Sequence, residues 1–120
     1  MTTLATPNAY KESAVLSAPP ELLVVMLYDG ARRFLFQAGV AMRDGQIELT
    51  NRKLRRAEDI VQHLQDALDM EQGEIARNLA SIYVYCLRRM RASRFDRDPA
   101  TLEHVSSLLG QLREAFAAIS

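Results

Sequence analysis

Apolar residues recur every three or four positions in four separate stretches of this chain, and the breaks between the stretches are short. That spacing limits the fold more than any other feature, because it is the period of a helix with one buried face. In the run from Pro20 to Gly45, Leu23, Leu27, Ala31, Phe34, Ala38 and Ala41 fall on one side. A second helix is predicted from Gln46 or Thr50 to Met70, with a narrow stripe of Leu54, Ala57, Val61, Leu64 and Leu68. Gly73 separates it from a third, Glu74 to about Arg94. The fourth opens on Asp98-Pro99, an N-cap followed by a proline where a missing N–H does no harm. It carries Leu102, Val105, Leu109, Leu112, Phe116 and Ile119. No stretch sustains the alternation of a strand. Short connections make successive helices antiparallel neighbours, so the predicted fold is all-α: an antiparallel, up-down four-helix bundle.

Residues 1–19 lack this period and hold Pro7, Asn8, Ser13, Ser17 and Pro19. They read as a mobile N-terminal arm, with room for a short extra helix around Tyr10, ahead of a bundle over residues 20–120. The 120 residues suffice for one modest core. Fifteen basic and fifteen acidic residues cancel, so charge calls for neither nucleic acid nor an anionic membrane. Cys86 stands alone, which rules out an intramolecular disulfide. The apolar run Leu22 to Tyr28 is far short of the ~20 residues that span a bilayer. The opening MTTLATPNAYKES lacks the layout of a signal peptide. The expectation is a soluble, cytoplasmic protein.

The helices differ in how much of their circumference is apolar. The second and fourth show one stripe of roughly 120°, whereas the third spreads Ile75, Ala76, Leu79, Ala80, Ile82, Tyr83, Cys86, Leu87 and Met90 over roughly 160°. Within its IYVYCLRRM segment, Val84 and Tyr85 lie outside even that arc. The first helix carries Leu22, Val25, Phe36 and Val40 on the side that holds Asp29, away from its main stripe. Two explanations fit. These helices could have lateral neighbours on both sides, or part of the surface could be a docking groove for a partner.

Nothing in the sequence makes a convincing catalytic or metal site. His63 and His104 are the only histidines, and Glu58 and Glu103 stand at the wrong spacings for a Glu-x-x-His di-metal bundle. Cys86 has no CxxC partner and lies on an apolar face, as a buried structural thiol does. No phosphate-binding glycine motif occurs. Arg88, Arg89, Arg91, Arg94 and Arg97 fit a helix C-terminus better than a phosphate-binding strip, since Asp96 and Asp98 dilute them. Arg52, Lys53, Arg55 and Arg56 followed by Glu58 and Asp59 read as a solvated face with ion pairs along the helix. Gly30 within a helix implies a close backbone approach, a kink, or simple tolerance.

Four segments taken together, NAYKES, PPELLVVMLYDGARRFL, GEIARNLASIYVYCLRRM and the closing LLGQLREAF, resemble the flagellar secretion chaperone FliS family over nearly the whole chain. The patterned positions are Tyr10 and Val15; then Leu27, Tyr28, Asp29, Gly30 and Ala31; then Gly73, Glu74, Ile75, Asn78, Leu79, Tyr83, Tyr85, Arg88 and Arg89. One departure is Pro19-Pro20 where the family usually has Ser-Pro, which removes a side-chain N-cap. Cys86 and Phe36 are local substitutions.

The resemblance implies a compact helical bundle without enzymatic activity and without a cofactor or metal. It implies that the bundle binds the disordered C-terminal segment of flagellin, holds it unassembled in the cytoplasm, and helps deliver it to the type III export gate. The surplus apolar faces and the patterned positions together give the expected partner-binding set: Tyr10, Val15, Leu22, Val25, Asp29, Phe36, Asn78, Leu79, Val84, Tyr85, Arg88 and Arg89. On this expectation a partner covers the second side of the third helix, and before binding the arm with Tyr10 lies over part of the same surface. The rival reading is a generic helical adaptor, or a bundle that dimerises through its wide apolar faces. The sequence leaves monomer and weak dimer both open.

Overall fold

The structure, a computed structural model, describes residues 20–119. It contains four α-helices: α1 over Pro20–Arg43, α2 over Ile47–Asp66, α3 over Glu74–Asp96 and α4 over Pro99–Ala118. A single 3-10 turn, Met70–Gln72, lies between α2 and α3. No strand occurs among the described residues. The helices form a ring in which α1 packs on α2 and α4, and α3 packs on the same two from the opposite corner. Antiparallel order shows in the cross-links. Asp29 near the start of α1 meets Arg113 near the end of α4, and Arg43 at the end of α1 meets Glu103 near the start of α4.

The turns follow local chemistry. Gly45, with φ of 72°, closes α1, and the Gln46 N–H donates back to the Ala41 carbonyl at 2.9 Å. The Asp69 carboxylate accepts from the Glu71 N–H, and Gly73 takes φ of 77° before α3. Asp98 caps α4 by accepting from the Ala100 N–H at 3.0 Å, with Pro99 behind it, as the sequence predicts. The predicted end of α2 is moved: the helix stops at Asp66, and Leu68 is a half-buried residue of the connection.

Most of the predicted core is present, with two shifts. In α1 the fully enclosed line runs through Tyr28, Ala31, Leu35, Ala38 and Met42, while Leu23, Leu27 and Phe34 are only half-buried. The stripe is therefore rotated by about one residue. Tyrosine can sit at its centre because the Tyr28 and Tyr83 hydroxyls hydrogen-bond to each other across the bundle. In α3, Ala76, Tyr83, Cys86, Leu87 and Met90 are buried, but Ile75 is 72% exposed and leaves the predicted arc. Phe34 lies beneath the Lys53 ammonium, 5.6 Å from the ring centre.

The charged run of α2 is not wholly a solvated face. Glu58 is almost fully buried and pairs across to α3, with Arg94 at 2.6 Å and Arg91 at 4.0 Å. Part of the basic stretch of α3 is thereby used inside the fold. Gly30 needs no close backbone approach: a Cβ there would lie 3.4 Å from Ile60 Cδ1, an ordinary contact.

Candidate partner-binding surface

The second side of α3 lies in two grooves. On its α2 side, Val84, Leu87, Arg88 and Arg91 face Gln62 and Gln65. On its α4 side, Ser81, Ile82 and Tyr85 face His104 and Leu108. Val84 and Tyr85 are 39% and 40% exposed, as their position off the apolar arc implies. Tyr85 is ordered rather than loose. Its hydroxyl shares a 2.9 Å hydrogen bond with His104 Nε2, and the two rings meet edge to face. The groove on the α2 side sets Val84 and Leu87 among four polar side chains, and the one on the α4 side joins apolar area to the Tyr85–His104 pair, a mixture suited to docking a peptide.

A third opening lies where the start of α1, the end of α2, the start of α3 and the end of α4 come together. It encloses about 440 Å³ and is lined mainly by apolar side chains, among them Leu23, Val24, Leu27, Leu68, Leu79 and Phe116. Tyr83 stands in its wall, and its partner Tyr28 packs against Phe116 with ring centres 5.7 Å apart. Burial raises the pKa of both tyrosines, so the pair stays neutral at any physiological pH. The sequence pattern gave Leu23 and Leu27 to the core. In the structure they line this opening instead, because a helix end has fewer neighbours than a helix middle.

A fourth groove, about 560 Å³, separates the outer sides of α1 and α4. Leu35 and Leu102 form its floor, and Phe36, 71% exposed, stands at its edge.

The expected partner-binding residues are distributed among these places and do not converge on one site. Leu79 lies in the end opening, Val84 and Arg88 beside α2, Tyr85 beside α4, and Phe36 on the α1–α4 groove. Leu22 and Asn78 are exposed on α1 and α3. Arg89 is half-buried, with its Nε enclosed. Asp29 is held by Arg113 at 3.0 Å, so it ties α1 to α4. Val25 is buried at 5% exposure and offers no open surface, which corrects its assignment to the surplus face. Tyr10 and Val15 lie outside the described residues. Ile75, Ile47, Met70 and Phe95 are exposed large apolar residues that periodicity did not single out as surface.

Among the described residues no group of three His, Cys, Asp or Glu side chains could hold a metal ion. Cys86 is fully enclosed, and burial pushes its thiol up to about 11, far from a reactive thiolate. No described helix is long and apolar enough to cross a membrane.

The sequence as a whole is similar to known proteins of one family. The model of the family described as flagellar protein FliS matches residues 3–120. The chain is 38% identical over 111 residues to the flagellar secretion chaperone FliS of Salmonella typhimurium, covering 91% of this chain and 82% of that protein. It is 32% identical over 117 residues to the protein of the same name from Vibrio cholerae, covering 93% and 86%. A third, from Bacillus subtilis, is 29% identical over 109 residues, covering 91% and 81%.

Proposed function

Because the chain belongs to the FliS family of flagellar secretion chaperones, we propose that it binds the C-terminal segment of flagellin and acts by mass action, without catalysis. Burying the segment that drives assembly removes the client from polymerisation in the cytoplasm. The held client is then presented to the export gate. The observation that carries this reading is the apolar surface beside α3, where Val84 and Tyr85 stay accessible although the fold buries Tyr83, Cys86 and Leu87 on the same helix. A long segment can follow the grooves on both sides of α3 and reach the end opening at Leu79. Leu22, Phe36, Asn78, Arg88 and Arg89 extend that surface, and Tyr10 and Val15, outside the described residues, are counted with it from the sequence alone.

The test is calorimetry with a synthetic peptide of the last few dozen residues of the host's flagellin. The expected result is one peptide per chain, a negative heat-capacity change, and a gain of helix in the circular dichroism of the mixture. Ordering the client costs about 2–5 kcal/mol, so the contact must be long and largely apolar. A peptide that leaves the protein's calorimetric trace and its spectrum unchanged would overturn the proposal.

A further inference from the structure

The groove between α1 and α4 has a balanced set of charges, but one of its arginines stands outside the ion pairs. Four charged side chains line it: Arg32, Arg43, Glu103 and Glu114. Arg43 is paired with Glu103, and Glu114 with Arg113 at 3.0 Å. Arg32 has no ion-pair partner among the described residues. Its Nε donates to Ser106 Oγ at 3.3 Å, and its two terminal nitrogens meet no acceptor among the described residues.

That guanidinium is also given a seat. Gly110 of α4 lies beneath it, and a Cβ at that position would come within 2.9 Å of Arg32 Cζ and 3.1 Å of a terminal nitrogen. Glycine inside a helix is unfavourable by about 0.5–1 kcal/mol relative to alanine. Here its missing side chain lets the planar fork lie against α4. Ser106 holds Nε, and Gly110, one turn on, leaves room for Cζ and both terminal nitrogens, which a Cβ would approach to 3.1 and 3.2 Å, in a side chain that lines the groove. A guanidinium with two free parallel donors is matched by a carboxylate. Phe36 stands one turn along α1 from Arg32, over the apolar floor of Leu35 and Leu102.

We propose that this groove is a carboxylate-reading subsite of the client surface. The Arg32 guanidinium takes an Asp or Glu side chain of the bound segment, and an apolar residue one helical turn away packs on Phe36. The proposal rests on the client-binding reading above and adds to it a rule for the client: an acidic residue and an apolar residue one turn apart. At Arg32, the one charged side chain of the lining without an ion pair among the described residues, charge complementarity selects this occupant. A basic segment would meet an uncompensated cation, and a purely apolar one would leave Arg32 desolvated without a partner.

The test is a thermodynamic cycle with the full chain and two synthetic peptides. One is the C-terminal segment of the host's flagellin. The other has every Asp and Glu replaced by Asn and Gln. Arg32→Gln should weaken the native peptide about tenfold, as expected for the loss of a charge-assisted hydrogen bond, and leave the amide peptide unchanged. Gly110→Ala should raise the thermal midpoint or leave it in place, since alanine favours helix, yet weaken the native peptide by displacing the fork. If Arg32→Gln weakens both peptides equally, Arg32 is only a packing residue and the proposal falls. It also falls if Arg32→Gln tightens the native peptide, which would make residues 1–19 the occupant. Dissolution of a wild-type dimer by Arg32→Gln would make the occupant a second copy and would overturn it as well. If neither peptide binds the wild-type chain, the client-binding reading fails first and takes the subsite with it. Binding without any charge coupling removes the subsite alone.

Discussion

Replacing the two buried tyrosines by phenylalanine, singly and together, should give a cycle in which the double variant is more stable than either single one. Tyr28 and Tyr83 are 0% and 2% exposed, and their hydroxyls are hydrogen-bonded to each other across the bundle. Tyr28→Phe keeps the ring but leaves the Tyr83 hydroxyl dry and without its partner; Tyr83→Phe does the same to Tyr28. A buried polar group stranded in this way costs about 1–3 kcal/mol, whereas a satisfied pair contributes only about 1 kcal/mol net over no polar group at all. Each single variant should therefore lose about 2 kcal/mol, and the double variant about 1. For a domain of this size, about 2 kcal/mol lowers the thermal midpoint by roughly 8 °C. The chain has no tryptophan, so urea unfolding is best followed by far-UV circular dichroism. The slope of the transition should be the same in all four proteins, leaving the midpoint to report stability. A double variant that loses the sum of the two single losses would refute the reasoning, because it would mean that the hydroxyls are satisfied independently.

Alkaline stability should depend on Cys86. Burial raises its thiol from 9.0 to about 11, so the folded state holds a proton that the unfolded state has lost. The stabilisation is complete below pH 9 and falls away as pH rises to 11, by about 3 kcal/mol. Cys86→Ala should flatten that part of the urea-midpoint profile, and an unchanged slope would contradict it. Gly30→Ala should raise stability by about 0.5–1 kcal/mol, since the new methyl meets Ile60 at an ordinary 3.4 Å; a lower thermal midpoint would show a closer approach than the structure has. Tyr83→Ala should lose roughly 2–4 kcal/mol as a core truncation. Tyr85→Ala, at a half-exposed site, should spare folding and weaken the flagellin peptide in calorimetry. If Tyr85→Ala unfolds early and binds normally, the face beside α4 belongs to the fold.

The helices were legible because their signals are local. Asp98-Pro99 caps α4 by itself, Gly45 and Gly73 end the segments before them, and the stripe of α2 from Leu54 to Leu64 needs only its own period. The burial of Tyr83 and the accessibility of Val84 and Tyr85 were legible for the same reason, since three adjacent residues on a helix point 100° apart. What the period could not supply was the third dimension. Whether Leu27 faces a neighbour or an opening depends on where four helix ends stop relative to one another. The pairing of Glu58 with Arg94 joins residues 36 positions apart, and in sequence Glu58 looked like part of a solvated charge run and Arg94 like a cation at a helix C-terminus. Arg32 was unreadable because its meaning comes from Gly110 and Ser106 on another helix. The likeness to a family identified which residues recur together, but not which groove each one enters.

The excess of apolar residues in α1 and α3 follows from their places in the ring. These two helices occupy opposite corners, and they meet across the centre through the hydroxyls of Tyr28 and Tyr83. Around Ala31 and Ala38, α1 fills its share of the core with Tyr28, Leu35 and Met42, and α3 fills its share with Tyr83, Leu87 and Met90. The apolar arc of α3 is then broad for one geometric reason. Its centre must reach inward to close the core, and its margins, Ile82 and Leu79 among them, form the walls of the grooves. A surface made in this way cannot be removed by making α3 more polar at its margins without also thinning the packing that seats Tyr83. On the proposed function, folding and partner binding would fall to adjacent residues of one helix, and a nine-residue segment would then look too apolar for either task alone.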